Sequence, residues 1–122
     1  MNENYLACMH GFDKKQVSVT IQHIVHLLSS GGLEQVLQGS KPSRCATEDL
    51  NAVLVEHGQR FTLPAKAPKT YLTHGEGEPA KLYADIRLCV DGAPSDLVLR
   101  CTLFAEHTAG HYAYRVEDLL AP

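Results

Sequence analysis

The segment from Lys81 to Leu120 constrains the fold more than any other part of the chain. It reads KLYADIRLCVDGAPSDLVLRCTLFAEHTAGHYAYRVEDLL, with apolar and polar residues alternating on both sides of Asp91-Gly92-Ala93-Pro94-Ser95-Asp96 and again after His107-Thr108-Ala109-Gly110. Successive side chains of a strand point to opposite faces, and turn residues stand where the alternation stops. The segment therefore predicts a three-stranded antiparallel meander. With Val90 set opposite Leu97, the covered face takes Ile86, Leu88, Val90, Leu97, Leu99, Cys101 and Leu103, then Tyr112, Tyr114 and Val116. The other face takes Tyr83, Asp85, Arg87, Cys89, Val98, Arg100, Thr102, Phe104, Glu106, His111, Ala113, Arg115 and Glu117. In that register Arg100 stands between Arg87 and Glu117, with Asp85 and Arg115 near. Like charges placed directly opposite call for an acid or a ligand between them. The row is read either as a solvated, salt-bridged face or as a surface for a protein or anionic partner.

A sheet with one apolar face needs helices to cover it. Upstream, Val17, Ile21, Ile24, Val25 and Leu28 recur at spacings of three and four, which marks one helical stripe. Asp13 is the expected N-cap, Ser29-Ser30-Gly31-Gly32 the stop, and Leu33 to Gln38 a short following helix. A second amphipathic helix is expected from about Ala46, with Leu50, Val53, Leu54 and His57 on its stripe and Gly58 beyond it. Phe61 to Pro64 reads as a short edge strand, and Thr70 to Leu72 as a brief extended piece. Residues 64–80, with three prolines and two glycines, read as a long surface connection. Long loops in compact domains are uncommon and often functional, so this one is a candidate interaction site. Its His74, Glu76 and Glu78 join Asp85, Arg87, Arg100, Arg115 and Glu117 as candidate partner-binding residues. The expectation is a single α+β domain over residues 1–122, with two main N-terminal helices on one face of a three- to four-stranded antiparallel sheet. Residues 1–12 are left as an uncommitted arm.

A chain of 122 residues has room for one core. Its formal charge of -3 and its scattered basic residues argue against a nucleic-acid partner, and the absence of Trp leaves little for base stacking. No apolar run approaches a membrane span, and the opening MNENYLACMHGF lacks the pattern of a secretory signal. The cysteines at 8, 45, 89 and 101 are therefore expected as reduced thiols in the cytoplasm, with Cys89 and Cys101 on opposite sheet faces.

Histidines stand at 10, 23, 26, 57, 74, 107 and 111. His23 and His26 lie three apart on the predicted first helix, yet no further ligand follows at helical spacing and neither paired CxxC nor HExxH is present. No metal or other cofactor is expected. No nucleophile elbow or phosphate loop frames any Ser, Cys or Gly pair, so no catalytic residue is nominated.

Three short segments carry a resemblance: Ala93-Pro94-Ser95-Asp96-Leu97-Val98-Leu99, Glu117-Asp118-Leu119 and Thr62-Leu63-Pro64. Over about residues 46–120 the chain resembles a group of small bacterial α+β domains of the immunity-protein kind. It departs from them at the position in the strand before the turn where that group often has an aromatic residue, and in its Leu120-Ala121-Pro122 ending. The helix-then-meander order is similar to cystatin-like and NTF2-like folds. These resemblances imply architecture first, since such folds host enzymes, binders and inhibitors alike. They frame the expectation of a small cytosolic inhibitor or immunity protein that neutralises a toxin or other effector by binding it, its acidity steering it toward a basic partner. The alternative is an NTF2-like small-ligand binder or enzyme with a pocket between helix and sheet, lined by Tyr112, Tyr114, His26 and Asp85. Homodimerisation through the open sheet face is compatible with either.

Overall fold

The computed structural model describes residues 11–42, 50, 61–64, 68–75, 80–108 and 110–121. Helix α1 spans Lys14–Gln38. Asp13 caps it as expected, its carboxylate accepting the Gln16 N–H at 3.0 Å. Gly32 breaks the helix from within, at φ 77°, where the glycine pair predicts a stop. Helical turns resume over the following six residues, so the short second piece continues the first. Val17, Ile21, Ile24, Val25, Leu28, Leu33 and Val36 form the buried stripe.

Five strands follow: β1 (Phe61–Thr62), β2 (Thr70–His74), β3 (Lys81–Val90), β4 (Ala93–Thr108) and β5 (His111–Leu120). All pairs are antiparallel, in the order β1-β3-β4-β5, with β2 also on β3. β1 pairs with Cys89 and Val90, β2 with Leu82 through Ile86, so the two short strands share one edge of β3. The α+β class is as expected. The count differs: the described residues hold one helix and five strands, not two helices and three or four strands. The predicted second helix lies outside the described residues apart from Leu50, which is buried. In the connection over 64–80, the brief extended piece expected at Thr70 to Leu72 is a full strand, Thr70 to His74, paired with β3 along five residues.

The register corrects the expected one. Asp91 and Gly92, at φ 50° and 85°, make a two-residue turn that sets Val90 opposite Ala93. An Asp-Gly pair accepts the left-handed backbone that matches strand twist, so the chain reverses at once instead of after six residues. A bulge between Arg87 and Cys89 then brings Arg87 opposite Val98 and Asp85 opposite Arg100. The expected pairing of β3 with β4 was out by four residues at the turn and by two beyond the bulge, even shifts that change partners but leave these side chains on their faces. Accordingly Ile86, Leu88, Leu97, Leu99, Cys101, Leu103, Tyr112, Tyr114 and Val116 are all buried, with Leu82, Ala84 and Leu119 beside them, and Val90 is half-buried.

Polar links bind α1 to β5. Tyr114 Oη donates to the Val36 carbonyl at 2.6 Å, filling one of the acceptors a helix leaves open at its end. The Tyr112 N–H donates to Thr20 Oγ1 at 2.9 Å, and the Asp13 N–H donates to Tyr112 Oη at 2.8 Å. Beyond the helix, the Lys41 N–H donates to the Tyr114 carbonyl at 2.8 Å and Ser40 Oγ accepts the Val116 N–H at 2.9 Å. Cys89 and Cys101 are free thiols, and burial pushes the Cys101 pKa up. Among the described residues, no helix is long and apolar enough to cross a membrane.

Candidate functional site on the outer sheet face

With α1 against one side of the sheet, the other side is a twisted surface lined by the side chains that alternation sends outward. A second bulge shapes it. Arg100 pairs with Asp118 and Cys101 with Val116, so β5 inserts one extra residue. Val116 and Leu119 both stay buried, and Glu117 and Asp118 sit half-exposed between them.

Arg100 forms a two-point contact with Asp85, Nε to Oδ1 at 2.8 Å and Nη2 to Oδ2 at 3.1 Å. Hydrogen bonding and charge from Asp85 raise the guanidinium's pKa. Arg115 Nε meets Glu117 Oε2 at 2.8 Å, and the same oxygen accepts from Thr102 Oγ1 at 2.6 Å. The expected Arg87–Arg100 clash does not arise, because the register puts an acid there instead.

The face is less solvated than alternation suggests, since Thr102, Phe104 and Ala113 on it are buried. Lys41 Nζ and the Arg115 guanidinium lie 5.2 and 5.3 Å from the centre of the Phe104 ring, and Lys41 also pairs with Glu106 at 2.9 Å. Long cationic side chains cover the apolar surface with their stems and keep their charges in water. His111, assigned outward by alternation, instead stacks on His23 of α1 with ring centres 4.1 Å apart.

Between the ion pairs lies an open basin of about 490 Å³, walled by Tyr71, Thr73, Lys81, Tyr83, Asp85, Arg100, Thr102, Arg115 and Glu117. A smaller depression of about 230 Å³ adjoins it, sharing Tyr71 and Asp85 and adding Lys69, Arg87, Val98 and Leu120. Tyr71 is 82% exposed and Tyr83 41%. Gly75 backs the rim. A Cβ there would stand 2.9 Å from Tyr83 Cζ and 2.9 Å from Lys81 Cβ, so the residue just after β2 must be small for the tyrosine to hold its place.

Of the predicted partner-binding residues, Asp85, Arg100, Arg115 and Glu117 wall the basin and Arg87 the adjoining depression. His74 ends β2, exposed and outside both walls. Glu76 and Glu78 lie outside the described residues. Sequence reasoning missed Tyr71, Thr73 and Lys81 as site residues and placed Tyr83 on the face without a role. The signal was the alternation itself, had the short extended piece been carried to His74 and the meander's first residue read outward.

The residues suggested for a pocket between helix and sheet do not converge. Tyr112 and Tyr114 are buried and bonded to α1, His26 is exposed on the helix, and Asp85 stands on the opposite side of the sheet. In the His23–His111 pair, His111 Nδ1 lies 2.8 Å from the Tyr112 carbonyl, which only accepts, so Nδ1 carries the proton. Burial, then the charges of His111 and His26, lowers the His23 pKa. Among the described residues, no three His, Cys, Asp or Glu side chains are grouped to hold a metal ion.

No protein-family model, curated protein or solved structure matches this chain.

Proposed function

We propose that the chain is a small protein-binding domain, acting as an inhibitor or immunity protein does by occupying a toxin or other effector, and that the outer sheet face is its contact surface. One observation carries the reading: an open basin rimmed by exposed Tyr71 and Tyr83 beside anchored Arg100 and Arg115. Tyrosine and arginine dominate the energetics of protein interfaces, because they bring large contact area and directional donors at small entropic cost. The two ion pairs hold both guanidiniums in fixed orientations, so little freedom remains to be lost on contact. The basin's carboxylates are already engaged, Asp85 by Arg100 and Glu117 by Arg115 and Thr102, which suits a recognition surface better than an acid–base centre.

Calorimetric titration against the proteins encoded by the genes on either side of its own tests the proposal. A one-to-one complex is expected, weakened at least about tenfold by Tyr71→Ala combined with Tyr83→Ala in a variant that keeps its circular dichroism spectrum. Absence of binding, or an affinity indifferent to both tyrosines, overturns it.

A further inference from the structure

The proposed contact face carries a charge opposite in sign to that of the chain. Lys69, Lys81, Arg87, Arg100 and Arg115 wall the two depressions, against the carboxylates of Asp85 and Glu117. That is five cations to two acids. The chain as a whole has 11 cationic and 14 acidic side chains, so everything outside these walls holds six cations and twelve acids. Counting Asp118, which stands opposite Arg100, still leaves cations in excess.

The surplus is also chemically available. Asp85 and Glu117 satisfy Arg100 and Arg115. Lys69, Lys81 and Arg87 make no ion pair among the described residues. Lys69 and Arg87 are exposed, and Lys81 is half-buried at the basin wall. Cations that make no ion pair among the described residues, gathered beside exposed tyrosines on an otherwise acidic molecule, form a local field that attracts one sign of partner and repels the other.

We infer that this face binds an acidic segment of the protein partner, with Lys69, Lys81 and Arg87 receiving its carboxylates and Tyr71 and Tyr83 packing against its stems. The inference rests on the outer face being the protein-binding surface, and it reverses the basic partner that net charge alone suggests. Complementary charge acts mainly on encounter rate and on the rejection of wrong partners, and salt screens it.

The test is fluorescence polarisation at low and physiological ionic strength with two short labelled peptides, one of alternating Glu and Gly and one of alternating Lys and Gly. The Glu peptide is expected to bind and the Lys peptide not. Lys69→Glu with Arg87→Glu weakens the Glu peptide at least about tenfold, whereas the same charge change at the exposed helix residues Lys14 and Lys15 alters it less than about twofold. Equal weakening by both double variants means bulk charge alone and overturns the inference. So does full displacement by millimolar inorganic phosphate, which marks a small-anion site. Binding of the Lys peptide in its place, lost in Tyr71→Ala, overturns the sign of the partner but leaves the protein-binding face standing. An effector complex indifferent to Tyr71 and Tyr83 removes the face itself.

Discussion

The two faces of one sheet are built from the same strands and solve opposite problems. On the inner face every outlet is closed. Leu99, Leu103, Tyr114 and Val116 have no exposed surface, and the polar atoms among them are bonded to α1. On the outer face, two ion pairs lie flat on the sheet, Asp85 with Arg100 across two strands and Glu117 with Arg115 along one, and the tyrosines next to them are left open. Burial commits the inner residues to one packing, since a well-packed core tolerates little change of volume. Lateral ion pairs commit orientation while leaving surface to spare. Stability should therefore be concentrated on one side of the sheet and recognition on the other.

The largest test of that contrast is Leu99→Ala, which removes a fully buried side chain from the inner face. It is expected to cost about 2–5 kcal/mol in chemical denaturation, and a loss below about 1 kcal/mol would mean the inner face is not the stabilising one. Next comes Thr20→Val. It preserves shape but takes away the acceptor of the buried Tyr112 N–H, and an expected loss of about 1–3 kcal/mol would show that the link from α1 to β5 matters beyond packing. On the outer face, Arg100→Ala breaks an ion pair whose side chains are 46% and 32% exposed. Solvent screening limits its effect on stability to about 1 kcal/mol or less, and raised salt should shrink it further. A larger loss would blur the division between the faces.

The smallest effect expected is a pH dependence at the seam where α1 meets the start of β5. His23 is held below its ordinary pKa of 6.5 by burial and by its histidine neighbours. The unfolded chain then binds the proton more readily than the folded one. Stability is full above the ordinary value and declines as pH falls through it toward the lowered one. Thermal melts between neutral and mildly acidic pH should show that decline in the native chain and a shallower one in His23→Gln. Identical slopes would detach the histidine stack from stability.

Much of this contrast was legible before any coordinates. Alternation over Lys81 to Leu120 placed the inner residues correctly because each inward position is apolar and water excludes the other choice. It also put Asp85, Arg87, Arg100, Arg115 and Glu117 on one face. It did not say which of them touch. Asp85 meets Arg100 because a two-residue turn and a bulge near Arg87 shift the pairing, and both depend on how left-handed residues and strand twist balance over the whole hairpin. Tyr71 was missed for a related reason: alternation in so short a piece does not show that it pairs with β3 and so borders the same outer face.

By itself, then, the sequence determined the class of fold, the cap and glycine break of α1, and the side of the sheet on which the alternating residues lie, His111 apart. These follow from local periodicity and from the cost of burying polar groups. Only the tertiary structure decided the cross-strand partners, the burial of Phe104 beneath Lys41 and Arg115, the stacking of His111 on His23, and the gathering of five cations around two adjoining depressions. Each of those depends on residues distant in the chain, and no local pattern encodes how a register closes.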